Sequence, residues 1–318
     1  MTSIINVKEL KTYFYTLDGV VKAVDNISFQ LDRGDFMGLV GESGCGKSTT
    51  ALSILRLIPK PGRIASGEIL FEGKNLLKMD AIAFRKQIRW KKISTVFQGA
   101  MNSLNPVFRV RDQIVEAIQA HENVEEKTAL DRVEKLLEMV GIECSRGKSY
   151  PHEFSGGMKQ RAIIAMALAC NPDLIIADEP TTALDVIVQA QILGLIKKLR
   201  SELNLSMILI THDISIMSQM CNKVGIMYAG KLLEFGETVT VIKKPLNPYT
   251  KGLIEAFPDI MTERKIFSYI PGTPPALGDV VMGCRFAPRC SIKKKECEKI
   301  DPEMKDVGGG HFVACHLL

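Results

Sequence analysis

Gly41-Glu42-Ser43-Gly44-Cys45-Gly46-Lys47-Ser48 is the stretch that decides how this chain is read. It satisfies the phosphate-loop pattern G-x-x-x-x-G-K-[ST] at every fixed position, and Thr49 follows it. The run before it, Phe36-Met37-Gly38-Leu39-Val40, is short and apolar, as a buried strand requires. The run after it, Thr50 to Leu55, reads as a helix. That context turns a Gly-rich turn into an anion cradle. Backbone N–H groups from Gly41 through Thr49, those of Ser43 and Cys45 included, can close around phosphate oxygens where Gly44 and Gly46 leave no side chain in the way. The dipole of the following helix adds positive potential at the same point. Lys47 would then reach the β- and γ-phosphates, and Ser48 would hold Mg²⁺. The pattern therefore predicts binding of a nucleoside triphosphate.

Working outward, the apolar run Leu174-Ile175-Ile176-Ala177 closes on Asp178 and Glu179. In phosphate-loop nucleoside triphosphatases the first acid at such a position orients Mg²⁺, and a following Glu can polarise an attacking water. Upstream of it, Phe154-Ser155-Gly156-Gly157-Met158-Lys159-Gln160-Arg161 offers a second Gly-rich helix N-terminus able to grip phosphate. Residues 4–40 read as short alternating strands, Ile5-Asn6-Val7 and Val20 to Phe29 among them, and Ser66 to Lys74 and Ile93 to Phe97 read as further strands. Between 107 and 170 the spacing turns helical: Val110 to His121, Glu125 to Val140 with Leu130, Val133, Leu136, Leu137 and Val140 on one face, then Met158 to Ala169. Strands return at Ser206 to Thr211, and at Val224 to Tyr228 and Lys231 to Phe235 as a hairpin across Ala229-Gly230. Alternation of strands and helices predicts an α/β protein with a largely parallel sheet. From Pro245 the chain becomes rich in Pro, Gly and Cys, which marks a C-terminal appendage.

The 318 residues suffice for a full core and an extension. A net charge of +5 is a mild excess, and runs such as Lys293-Lys294-Lys295 are short, so a solvated surface explains them better than a nucleic-acid site. Aromatic and basic residues do not interleave as base stacking would need. There is no apolar run near the ~18 residues of a membrane span. Met1 to Asn6 lacks the basic and apolar regions of a secretory leader. A cytoplasmic protein is expected, acting at a membrane only by docking on other proteins.

The phosphate loop, Gln98, Ser155-Gly156-Gly157, Asp178-Glu179, Ala183-Leu184-Asp185 and His212 stand in the order and spacing of an ABC transporter ATPase subunit, which the chain resembles over roughly residues 4–245. More narrowly, Tyr150 to Arg161 and the tail Gly283-Cys284-Arg285-Phe286-Ala287-Pro288-Arg289-Cys290 resemble the D-type ATPase subunit of the dipeptide/oligopeptide importers. The resemblance implies a phosphate-loop ABC-type nucleotide-binding domain over 1–245, with an antiparallel β subdomain and a helical subdomain near 100–172. An oligopeptide-transporter-type extension would occupy 246–318. It also implies a head-to-tail pair of ATPase subunits at the cytoplasmic face of the membrane, a related F-type ATPase being the partner expected. Two membrane permease subunits and, indirectly, an extracytoplasmic solute-binding protein complete the assembly. Ser155, Gly156 and Gly157 would contact the γ-phosphate bound to the partner. Glu179 would be the general base, His212 and Gln98 would meet the γ-phosphate, Gln98 would also ligate Mg²⁺, and Asp185 would connect the two sites. Gln98 begins the segment to Pro106 that would meet the membrane subunit. Adenine would stack on Tyr13, Phe14 or Tyr15, with Phe14 favoured by alignment of the first strand. Phe154 and Met158 depart from the common Leu-Ser-Gly-Gly-Gln signature, and Met158 lacks the amide donors of Gln. Di- and oligopeptides are the expected solutes; nickel or an oligosaccharide is the alternative. A soluble ABC ATPase of DNA repair or translation would show coiled-coil insertions or two cassettes, and a non-ABC kinase would lack Ser155-Gly156-Gly157.

Cys284, Cys290, Cys297 and Cys315 crowd into the end of a chain with eight cysteines. A cytoplasmic setting argues against disulfides. No two of the four lie as close as the pairs of a structural zinc site. A 4Fe–4S cluster, which also takes four thiolates, suits the wider loops, and the resembled branch is similar to proteins that carry one there. Zinc is the alternative, then free thiols or disulfides. Arg285, Arg289 and Lys293 stand ready to offset cluster charge, and His311 and His316 are weaker ligand candidates.

Overall fold

The computed structural model describes residues 3–256, 270–276, 278 and 282–318. Part of the expected extension therefore lies outside the described residues. In chain order the elements are β1 (Ser3–Thr16), β2 (Gly19–Asp32), β3 (Phe36–Val40), α1 (Lys47–Ile54), β4 (Gly62–Phe71), β5 (Lys74–Asn75), α2 (Ala81–Gln87), β6 (Ile93–Val96), α3 (Val110–His121), α4 (Glu126–Met139) and α5 (Gly156–Leu168). They continue with β7 (Leu174–Asp178), α6 (Val186–Leu203), β8 (Ser206–Thr211), α7 (Ile214–Met220), β9 (Lys223–Tyr228), β10 (Lys231–Glu237), α8 (Thr238–Lys243), α9 (Pro248–Glu255), β11 (Met304–Asp306) and β12 (Phe312–Ala314).

The chain divides into two compact units. One holds Thr2–Leu31, Asp35–Leu77 and Leu209–Leu318. Within it β2, β1, β4 and β5 form an antiparallel sheet in that order. β1 and β2 are longer than the short strands predicted from their apolar clusters. The reason is a bulge: the β1–β4 register shifts between Lys8 and Lys11, where Glu9 takes a positive φ of 47° and donates its N–H to Ser28 Oγ. An irregularity of this kind interrupts strict alternation without ending the strand. In the same unit β3, buried at all five residues, pairs in parallel with β9, and β9 turns into β10 across Ala229 and Gly230. Both turn residues have positive φ, 45° and 84°, as a tight hairpin of primed type demands. β10 continues to β12 and β12 to β11, all antiparallel, so the C-terminal strands extend this edge.

The other unit holds Asp32–Gly34 and Lys78–Ile208. β6 and β7 pair in parallel from Ile93↔Leu174 to Val96↔Ala177. Between them in sequence, α3, α4 and α5 form the helical segment expected from the periodicity. The buried face of α4 is Ala129, Val133, Leu136 and Leu137; the smaller Ala129 is the innermost residue of its first turns and Leu130 is only half-buried. At the mouth of β7, Asp173 accepts bonds from Arg33 and from Lys92, the latter at 2.7 Å. Burial by itself would raise the Asp173 pKa, but these two cations outweigh it and hold the carboxyl below its usual range. Among the described residues no helix is long and apolar enough to cross a membrane.

Candidate active site

The phosphate loop runs from the end of β3 into α1, whose N-cap is Gly46. Gly46 has φ 104°, and a Cβ there would lie 2.2 Å from the Ala23 carbonyl oxygen, so the loop can pass Ala23 only as glycine. At Gly44, φ is 77° and a Cβ would meet nothing within 4 Å, which leaves that side of the loop open to a ligand. Lys47 is 7% exposed, and its Nζ donates to the carbonyls of Gly41 at 2.8 Å and Glu42 at 2.9 Å. Ser43, Gly44 and Ser48 are exposed, Thr49 is half-buried, and Gly41 and Cys45 are buried. This is an anion cradle with its ammonium held on the loop, and it fits a triphosphate with Mg²⁺ at Ser48.

In the other unit, β7 ends on buried Asp178, and Glu179 follows at φ 46°, a left-handed conformation unusual for Glu. Ala183, four residues on, is left-handed too at φ 66°. Non-glycine strain concentrated in one short loop is a mark of functional sites. Glu179 Oε2 accepts from Gln98 Nε2 at 2.9 Å and from Thr182 Oγ1 at 3.0 Å. Gln98, exposed just beyond β6, and Glu179 are thus brought together, a contact between two sequence candidates that the sequence reading did not foresee. Thr182 is a partner that sequence reasoning missed; its place three residues after the acid was the available signal. Asp185 has a structural task in this chain: its Oδ1 accepts the Val188 N–H at 2.9 Å and caps α6.

Ser155 caps α5 by accepting the Met158 N–H at 3.3 Å. Ser155 and Gly156 are exposed, so the helix N-terminus faces outward where a second molecule could reach it. A Cβ on Gly157 would lie 2.7 Å from Val188 Cγ1, so this glycine also permits close packing on α6. His212 is exposed immediately after β8. Of the three aromatic candidates in β1, Tyr13 donates its hydroxyl to Asp25 at 2.6 Å. Phe14 is half-buried and packs its ring beside Gly62. Tyr15 is exposed, with the Arg63 guanidinium 4.2 Å from its ring centre. On either side of the Gln98–Pro106 segment, Phe97, Val107 and Phe108 are large exposed apolar residues.

All eight cysteines are free thiols. Among the described residues no three His, Cys, Asp or Glu side chains are arranged to hold a metal ion, so the geometry gives the expected cluster or zinc no direct support. The four C-terminal thiols do share a neighbourhood. Burial pushes the Cys284 thiol up to about 11, and Cys297 and Cys315 add to the rise. Burial raises Cys315 as well, reinforced by Cys290 and Cys297. His311 is bound to Glu234 at 2.7 Å and His316 to the Ile300 carbonyl at 2.8 Å, which removes both as ready ligands. The arginines expected to offset cluster charge are used elsewhere. Arg285 pairs with Asp25 and the Ala229 carbonyl, and Arg289 pairs with Glu42, while Lys293 pairs with Glu298.

The family described as "ABC transporter" matches residues 24–182, and the family described as "Oligopeptide/dipeptide transporter, C-terminal region" matches residues 233–297. The dipeptide transport ATP-binding protein DppD of Bacillus subtilis is 43% identical over 100% of this chain and 95% of its own length. The oligopeptide transport ATP-binding protein OppD of Escherichia coli is 42% identical over 98% of this chain and 93% of its own. Among solved structures, the ATP-binding cassette MJ0796, a dimer in a post-hydrolysis state with ADP and Pi, superposes with a TM-score of 0.64 at 27% identity, covering 74% of this chain and 98% of the cassette. The cbiO1 protein of Clostridium perfringens, part of an ABC transporter complex, superposes at 0.67 with 28% identity, over 77% and 92%.

Proposed function

The chain belongs to the ABC transporter family of ATP-binding subunits, and from that membership we propose that it hydrolyses ATP to drive import of di- and oligopeptides through partner membrane subunits. The observation that supports this most is full-length similarity to peptide-transport ATPases, extension included. In this reading the amides of the phosphate loop and Lys47 hold the triphosphate, with Ser48 and Gln98 as the protein ligands for Mg²⁺ and Asp178 ordering its waters. When bound, magnesium would supply neutralising charge to the triphosphate. Glu179 would take a proton from the water whose oxygen bonds to the γ-phosphorus as the bond from that phosphorus to the β–γ bridging oxygen breaks and ADP leaves, and the Gln98 amide, which donates to the Glu179 carboxylate, would hold that side chain in place. His212 steadies the γ-phosphate. Ser155, Gly156 and Gly157 present their exposed helix N-terminus to the nucleotide of a second ATPase subunit, an F-type relative. Adenine stacks on an aromatic ring of the Tyr13–Tyr15 strand end, Phe14 being the ring favoured by strand alignment. The exposed Phe97, Val107 and Phe108 flank the segment that docks on the permease.

Reconstitution tests this. The chain, its F-type partner and two permease subunits in liposomes, given a peptide-loaded binding protein, should hydrolyse ATP and accumulate labelled peptide. Accumulation of nickel or an oligosaccharide instead would overturn the solute class. Failure to associate with any permease would overturn the transport role.

The C-terminal thiols carry a finer proposal, a 4Fe–4S cluster. What supports it is the donor set: backbone N–H groups point at the sulfurs, Lys294 to Cys297 at 3.4 Å and Leu317 to Cys315 at 3.5 Å, with Phe286 and Ala287 bonding to Cys284. Such bonds favour thiolates, against the burial that raises the Cys284 and Cys315 thiols. Protein purified without oxygen should contain iron and acid-labile sulfide at about four each per chain. One zinc without sulfide, or no metal, would overturn the cluster.

A further inference from the structure

Glu42 is the second residue of the phosphate loop, and each of its polar groups has an assigned partner. Its N–H donates to Tyr249 Oη at 3.1 Å, its carbonyl accepts from Lys47 Nζ at 2.9 Å, and its carboxylate accepts both Nη1 and Nη2 of Arg289, at 2.8 and 3.0 Å. Two of these three anchors, Tyr249 on α9 and Arg289 between Cys284 and Cys290, belong to the C-terminal extension. The Arg289 side chain is 6% exposed. Its remaining N–H groups reach Tyr228 Oη at 3.3 Å and the carbonyls of Pro271 at 2.8 Å and Ile270 at 3.2 Å. All five guanidinium donors therefore have acceptors, and the fork is fixed in place. Tyr228, Tyr249 and Phe286 pack ring against ring beneath it, with centroids 4.7 to 5.3 Å apart.

A carboxylate in a loop that cradles a triphosphate is a like-charge liability, because Coulomb repulsion rises where water is excluded. Arg289 neutralises that charge and, being bidentate, sets the direction in which Glu42 and its backbone point. We propose that Arg289 is a positioning residue of the nucleotide site, so that the C-terminal extension is part of the ATP-binding machinery. This rests on reading Gly41 to Ser48 as that site. Arg289 touches no phosphate itself; it acts through Glu42. By linkage, whatever unseats the Cys284–Cys290 segment loosens nucleotide, and bound nucleotide in turn steadies the segment.

The test measures the Kd of the full chain for Mg²⁺ with a non-hydrolysable ATP analogue, and the melting temperature of every variant. Arg289→Ala should weaken binding by about tenfold, the scale of losing charged hydrogen bonds. Arg289→Lys, which keeps charge but not the fork, should weaken it by about threefold and carries the test if the alanine variant does not fold. Adding Glu42→Gln to Arg289→Ala should recover most of the loss, since it removes the uncompensated charge; a merely unfolded extension would not recover. Wild-type affinity in both Arg289 variants, or no recovery in the double variant, overturns the proposal. Lys47→Ala serves as the control: if it too binds normally, the nucleotide-site reading has failed rather than the role of Arg289.

Discussion

Glu179→Gln is expected to bind ATP as the wild-type chain does while hydrolysing it about a hundredfold to ten-thousandfold more slowly, the range that a positioned general base contributes. The substitution keeps size and leaves an amide oxygen able to accept from Thr182, whose hydroxyl lies 3.0 Å from the Glu179 carboxylate. What it removes is the basic carboxylate that takes a proton from water. The measurement is analogue Kd by equilibrium binding, paired with ATP turnover in the assembled transporter. Unchanged Kd with collapsed turnover assigns the base to Glu179. Unchanged turnover would remove it from that role, and loss of both would make the residue structural.

Much of this site was legible from the sequence because each of its parts is local. A strand–loop–helix with glycine at 41, 44 and 46 needs only nearest neighbours to be recognised; β3 and the Asp178 strand end stand where the apolar runs put them, and α1 begins at Lys47, ahead of the run from Thr50 that read as helix. The Ala229-Gly230 hairpin was equally readable, since a glycine after a small residue suits two positive φ values in a row. What stayed hidden was long-range or irregular. Nothing in the composition of β1 announces that Glu9 will bulge, because its left-handed backbone is stabilised by Ser28 on the neighbouring strand. Asp185 read as part of a nucleotide motif, and it is also the N-cap of α6, a task visible only once the helix start is placed. Arg285 and Arg289 were read by proximity to cysteines, whereas their carboxylate partners, Asp25 and Glu42, lie some 250 residues away in sequence. Pairing at that separation leaves no local pattern to read.

Lys47→Ala is expected to lower ATP affinity by at least a hundredfold. The ammonium is not idle in water: it is buried and bonded to the Gly41 and Glu42 carbonyls at 2.8 and 2.9 Å. Those two contacts hold the loop near the shape it needs and keep a full positive charge at its centre without the desolvation cost arising at the moment of binding. Transfer of the ammonium from two neutral carbonyls to anionic phosphate oxygens replaces ordinary hydrogen bonds with charge-assisted ones, each worth about 1.5–3 kcal/mol, so losing more than one gives the hundredfold figure. Alanine would also leave the carbonyls of Gly41 and Glu42 without their ammonium partner, and the loop would relax even before nucleotide arrives. Isothermal titration of the full chain with Mg²⁺-ATP analogue reads the loss directly. Lys47→Arg separates the two effects: it keeps the charge but cannot sit as a compact point donor inside the loop. If arginine restores affinity, field strength governs the site; if it does not, the fit of the ammonium on the two carbonyls does. Wild-type affinity in the alanine variant would mean that the triphosphate does not bind here at all.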